Sequence, residues 1–443
     1  MLKRIMRECI PTIIALTFTG LYSVIDGLFI GNAAGDTGLA AVNLAWPIPA
    51  FVTAVGLGVG TGGSILYSNA NGRGDREDGY KIFKTTICWL LVCAGIVTGI
   101  LFAGYREILC ALGARQEVYF QAEAYSRIII LGSIFQISGA GMVPLLRNLS
   151  MQLQAMCAMG CGMLTNLLLN YLLIVRLGIG IRGAALGTVC AQMIVCTICV
   201  YEFWGGESRL SEKAKVWNRC EVWKTILRIK RITKTGFPAF GMSLAPTVIL
   251  MFTNWQCLKY GGKQAVAAYA VISYIVFPIQ SLLQGVGDGL QPLMSYYAGA
   301  GKKKLLQKVI RYAYGMIAGI GCLAFLWAVG SQGYIGQWFH LSKEAGKIFR
   351  EGFAISAVSF LFYGFVRFHV AYMSSKLKIK LANGLIYGEC LVVAPALLVG
   401  LPEVIGIYGI WWTLPLISVC MTLIYIGIQA VTKMKYIVEK TGH

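Results

Sequence analysis

Residues 58–74, GVGTGGSILYSNANGRG, and residues 285–301, GVGDGLQPLMSYYAGAG, are identical at eight of seventeen positions without a gap. The same shift of 227 carries Pro11 onto Pro238, Gly35 onto Gly262 and Ala40-Ala41 onto Ala267-Ala268. Farther on, Gly178-Ile179-Gly180-Ile181-x-Gly183 matches Ile405-Gly406-Ile407-x-Gly409 at a shift of 226. Chance hydrophobic similarity rarely keeps one register across so many glycines, so the chain reads as an internal duplication.

Around that repeat the chain is apolar throughout. Hydrophobic residues make up 57% of 443 and charged residues 13%, about half the charge of an average soluble domain. Mean hydropathy is +0.67. Apolar runs of about 20 residues, long enough to cross roughly 30 Å of hydrocarbon, are expected at 9–30, 39–68, 82–103, 127–147, 155–175, 183–203, 237–258, 265–297, 309–330, 351–373, 382–400 and 406–431. The fold class is therefore all-α integral membrane, with twelve transmembrane helices. Six spans per repeat is an even number, so both repeats enter from one side. Two six-helix lobes should be related by a pseudo-two-fold axis along the membrane normal: an N-terminal lobe at 1–203, a cytoplasmic linker at 204–235 and a C-terminal lobe at 236–443. Spans two and eight are longer than a straight crossing needs, so tilt or an extension beyond the bilayer is expected.

With the N-terminus inside, 28 of the 39 Lys and Arg fall in inner segments and 10 in outer ones, with Arg367 inside a span. Both termini are thus expected in the cytoplasm. The net charge of +20 is mainly this bias. Basic residues scattered over short loops argue against a nucleic-acid partner and suit anionic lipid headgroups. Residues 1–20 have the look of a secretory signal, but Pro11 interrupts the run and the segment has a counterpart in the second repeat. The cysteines form no metal-spaced cluster; Cys157 and Cys161 share a helix face without His or acidic company and read as small thiols.

Several stretches resemble the multidrug and toxic compound extrusion (MATE) transporters, particularly the bacterial branch that exports cationic drugs. LYSVIDGLFIGNAAGDTGLAAVNLAWPI and GVGTGGSILYSNANGRGD look like that family's first two spans. QGVGDGLQPLMSYYAGAGKKK is similar to its eighth, NLLLNYLLIVRLGIGIRGAALGTV to its fifth-to-sixth junction and GIYGIWWTLPLIS to the start of its twelfth. The resemblance covers nearly the whole chain. It implies a V-shaped pair of lobes in the bacterial plasma membrane and export of small organic cations in exchange for inward H⁺ or Na⁺. It implies no other cofactor, and a monomer.

Charges inside spans are costly and read as functional candidates. Asp26 lies about four residues from the outer end of span one, where a carboxyl can take up a proton, Na⁺ or a cationic substrate; the alternative is an interfacial Asp reaching the headgroups. The resemblance adds Tyr125, Asn166 and Thr188 as counterparts of the family's polar site. Asn170 stands where the family has a second acid, which leaves the coupling ion open. Asn166 and Asn170 sit one turn apart on one helix face, suited to a shared site or to interhelical hydrogen bonds.

The second lobe differs. Asp26 aligns with Thr253. Asp288, with Gln284 and Gln291, would close an inner gate, cap a broken helix or face solvent near a loop. Arg367 and Glu389 lie eleven residues either side of residue 378, so an antiparallel hairpin brings them to one depth as an ion pair; otherwise Glu389 supplies an acid to the cavity. Pro11 and Pro238 each remove a helical donor and are expected to bend matching spans. The glycines of spans two and eight either allow close backbone approach or act as hinges. Trp204, Trp338 and Trp411 read as interface anchors.

No HExxH, paired Asp-rich or Gly-x-Ser-x-Gly motif is present, and His369 is the only histidine in a span, so an intramembrane enzyme is disfavoured. A flippase for a lipid-linked or amphipathic cargo is the alternative to a drug exporter, with twelve spans and the acidic Asp26 against it. Duplicated lobes suit alternating access better than a channel.

Overall fold

The computed structural model describes residues 1–205, 219–338 and 343–441. These form helices α1 (Leu2–Ala45), α2 (Pro47–Gly72), α3 (Arg76–Ala111), α4 (Gln116–Asn148), α5 (Gln152–Asn170) and α6 (Ile181–Gly205), then α7 (Arg219–Gly299), α8 (Lys303–Trp338), α9 (Lys343–Ala357), α10 (Phe360–Ser375), α11 (Ile379–Gly388), α12 (Ala394–Ile405) and α13 (Ile407–Thr441). Two π-helical turns, Tyr171–Arg176 and Glu389–Val393, extend α5 and α11. Helix α7 contains two spans, separated at Gly262 by a φ of 61° and ψ of −158°, a conformation only glycine adopts without strain. Among the described residues eleven helices are long and apolar enough to cross a membrane, or twelve if α9 and α10, bent by 48°, form one span. Leu168, Leu323, Leu326 and Val404 point outward, as expected of side chains that meet lipid.

The duplication is visible atom by atom. A methyl added to Gly72 would meet Tyr296, and one added to Gly299 would meet Asn69. Gly58 faces Phe240 while Gly285 faces Ile13, and Gly62 faces Gly236 while Gly289 faces Cys9. Within the lobes, Gly60 lies against Gly141 and Gly287 against Phe368. Every pair maps onto its partner at a shift of 227. These glycines act as close-approach positions, letting α1, α2 and the two halves of α7 touch backbone to backbone. The turns repeat as well. Gly74 and Gly301 have φ of 86° and 66°, and so do residues that are not glycine: Ser150 at 65° and Leu377 at 59°. In both of those turns the residue after the positive φ hydrogen-bonds five residues back, Met151 to Leu146 and Lys378 to Met373. Backbone geometry has outlasted side-chain identity there.

The first helices of the two lobes cross over. Ile5 and Cys9 pack with Val286, Leu290 and Phe368 of the second lobe, while Ile232, the counterpart of Ile5, is buried in the core of the first. The stretch read as a linker, 204–235, is consequently helical from Arg219 on; residues 206–218 lie outside the described residues.

Other readings need correction. Span two begins at Pro47, not 39, because Pro47 occupies the start of α2, where a missing N–H costs nothing. Span two is thus of ordinary length at 26 residues, whereas Gln264–Gly299 is long at 36. Helices α1 and α7 contain Pro11 and Pro238 within continuous helix, and the non-helical residue inside α7 is Gly262. Trp411 is no interface anchor: it is 2% exposed, packs beside Tyr269 in the second lobe's core and lies against Gly352. The side chains of Trp204 and Trp338 lie outside the described residues.

Candidate ion and substrate site

In the first lobe one hydrogen-bonded chain joins three helices. Asn170 Nδ2 donates to Asp26 Oδ1 at 2.6 Å and to Asn166 Oδ1 at 2.9 Å. Asn166 Nδ2 donates to Thr188 Oγ1 at 3.4 Å, and the Thr188 and Tyr22 hydroxyls share a contact of 3.4 Å. Tyr125, 2% exposed, interacts electrostatically with Asp26 and Tyr22. Asp26, Tyr125, Asn166, Asn170 and Thr188, from α1, α4, α5 and α6, thus come together in one cluster. The i, i+4 spacing of Asn166 and Asn170 puts both amides on the face toward α1. Asn170 also ends α5 where the π-helical turn begins, a distortion frequent at functional sites. Gly187 on α6 lies against Asn170 Oδ1, so no side chain intervenes.

The cluster is rich in acceptors. Both amide hydrogens described for Asn170 go to oxygens, and its own Oδ1 is buried without a partner. Asp26 is 8% exposed, and among the described residues the Asn170 amide, and no Lys or Arg, acts on its charge. A carboxylate, two amide oxygens and several hydroxyls form a hard, oxygen-only donor set, suited to a proton or an alkali cation rather than a soft metal.

Asp288 lies elsewhere, in the second half of α7, where it accepts from Gln284 Nε2 at 3.2 Å. It sits half-buried inside a continuous helix, so there is no helix end there for it to cap. Arg147 of the first lobe and Arg367 of the second both act on it electrostatically. Gln291, one turn on, joins the lobes: Asn148 Nδ2 donates to Gln291 Oε1 at 3.0 Å, Ser68 Oγ donates to Asn148 Oδ1 at 2.6 Å and Gln291 Nε2 donates to Ser295 Oγ at 2.8 Å. Asn69 Nδ2 donates to the Ser375 carbonyl at 3.1 Å. These bonds tie the lobes together at the end that carries the N-terminus, beside a cavity of about 280 Å³ lined by Arg4, Glu8 and Asn71. Arg367 Nη2 donates to Glu389 Oε1 at 2.7 Å, as the hairpin geometry required.

Sequence reasoning missed Tyr22, Arg147, Asn148 and Glu8. Tyr22 stood one turn before Asp26, a usable signal. Arg147 and Asn148 fell where span four was expected to give way to a loop, yet both are buried. Glu8, which accepts from Gln152 across the chain, was hidden among N-terminal arginines.

A family model described as MatE matches residues 11–172 and 238–376, two segments that begin at the repeat-related Pro11 and Pro238 and together span more than half the chain. The chain belongs to the MatE family. Among its relatives, the multidrug export protein MepA of Staphylococcus saprophyticus is 24% identical over 373 residues, covering 82% of this chain and 81% of that one. MepA of Staphylococcus haemolyticus is 23% identical, covering 93% and 89%. An outward-facing multidrug resistance MATE transporter of the MOP superfamily superposes with a TM-score of 0.88 at 19% identity, covering 98% and 96%. A Pyrococcus furiosus transporter of that superfamily, described as having a binding pocket of reverse polarity, gives 0.87 at 19% identity, covering 97% and 96%. This MATE transporter thus has the family's fold from end to end.

Proposed function

We propose that the protein exports small, mainly cationic organic molecules from the bacterial cytoplasm in exchange for inward H⁺ or Na⁺. The lobes at 1–203 and 236–443 rock against each other about the linker, with both termini in the cytoplasm and one chain as the working unit. The observation that carries this reading is Asp26: a carboxylate within a span, without a cationic partner among the described residues, next to a buried amide oxygen that accepts no hydrogen bond from them. A soluble cation neutralises such a group when the site faces outward, and its release inside accompanies substrate loading. The amides and glycine contacts at the inner end hold the cytoplasmic side shut in the outward-facing state; breaking them opens that side.

Ethidium efflux from drug-sensitive cells tests the reading. Wild type should expel ethidium, Asp26→Asn should not, and collapse of one of the two ion gradients should abolish wild-type efflux and so name the ion. Well-expressed wild type that expels no organic cation would shift the cargo to a lipid-linked or amphipathic molecule.

A further inference from the structure

The carboxylates Asp26, Asp288 and Glu389 lie within spans, and their partners differ. Asp26 has an amide. Asp288 has Gln284 together with the fields of Arg147 and Arg367. Glu389 has a full ion pair with Arg367, and the two residues are 3% and 2% exposed. The guanidinium also sits over the Tyr363 ring, 4.7 Å from its centroid, a cation–π contact that strengthens with desolvation. Yet the pair is not saturated: Glu389 Oε2 and Arg367 Nε and Nη1 are buried without partners. A buried ion pair left short of hydrogen bonds is poor stabilisation, since desolvation offsets its Coulombic gain, and unsatisfied buried polarity points to a role beyond stability.

Both lobes carry a π-helical turn in the fifth span, although not at the same height: at a shift of 227 Asn170 falls on Leu397, about two turns beyond Glu389. Glu389 opens the π-helical turn of the span containing α11, and Asn170 precedes that of the span containing α5. These spans are fifth in their respective lobes. Each lobe therefore sets a buried polar group of its fifth span at a π-helical distortion, facing an ionisable side chain from another helix: Asp26 in one lobe, Arg367 in the other.

We propose that Arg367 is a tethered cation that permanently fills, in the second lobe, the kind of site the first lobe leaves open for a soluble one. The inference rests on the antiport reading and deepens it: one coupling cation moves per cycle, bound at Asp26, and Glu389 takes a second cation only when the charge of Arg367 is removed. Asp288 and Tyr363 hold the guanidinium in place from the sides that Glu389 leaves free.

The test counts cations displaced when saturating tetraphenylphosphonium is added to purified full-length protein. A pH-sensitive dye in weak buffer reads H⁺, and scintillation proximity with radioactive Na⁺ reads Na⁺. Wild type should release one cation per protein, Glu389→Gln also one, Asp26→Asn none and Arg367→Gln two. A wild-type count of two, or a count that falls in Glu389→Gln, overturns the tethered-cation assignment while leaving antiport intact. Drug binding that displaces no cation from wild type overturns the antiport reading, and the inference with it. Should Arg367→Gln fail to fold, wild type against Glu389→Gln and Asp26→Asn still decides the matter.

Discussion

The two lobes share a backbone to the level of individual turns and differ in how they neutralise buried charge. In the first, Asp26 faces amides and hydroxyls, and the site has acceptors to spare. In the second, the position of Asp26 is taken by Thr253, whose hydroxyl bonds back to Ile249 of its own helix at 2.7 Å, and the acid has moved to Glu389 beside its own arginine. A duplicated scaffold can thus keep one copy as a working site and turn the other into a fixed, internally compensated frame. Symmetry supplies the rocking interface; asymmetry gives the exchange a single point of coupling.

The largest effect on the balance between states should come from breaking the interface that both lobes share. Gly72→Ala and Gly299→Ala each force a methyl into the opposing helix. Overpacking of this kind costs about 1–3 kcal/mol, so the closed inner end should lose roughly tenfold or more in population. Thiol labelling of Ser68→Cys from the inside, buried in the closed form, should speed up accordingly. Gly95→Ala, with open space around it, should leave labelling unchanged.

The largest effect on stability belongs to the ion pair. Arg367→Met alone should lower thermal stability by about 3–5 kcal/mol because it strands Glu389, whereas the double change Arg367→Met with Glu389→Leu should restore most of it. Equal losses in the single and double variants would mean that the pair is held for packing and not for charge. The smallest effect belongs to the hydroxyl at the vacated position. Thr253→Ala should cost only about 1 kcal/mol of stability and leave efflux as it is. Loss of efflux in this variant would show that the second lobe also takes part in ion binding.

Much of this was legible in the chain. The 227-residue register of Gly58, Gly62 and Gly72 gave the duplication, and the structure adds that these glycines meet the opposite lobe. The convergence of Asn166 and Asn170 followed from helical spacing, and the pairing of Arg367 with Glu389 from their equal distance to a turn. What stayed hidden depended on tertiary placement. Whether Trp411 met lipid or core was set by Gly352 on another helix. Arg147 and Asn148 were masked because they stand at the very end of α4, one at and one just past the expected boundary at 147, where a buried amide and a loop amide read alike. The Ser150 and Leu377 turns left no trace, because neither residue type favours a positive φ.

The most direct test of single-site coupling is transport in proteoliposomes, comparing gradient-driven uptake of tetraphenylphosphonium with drug-for-drug counterflow in the absence of any ion gradient. Asp26→Asn should lose gradient-driven uptake while keeping counterflow, since the lobes still rock and the substrate still binds. Gradient-driven uptake by Asp26→Asn equal to wild type would contradict the assignment of coupling to the first lobe.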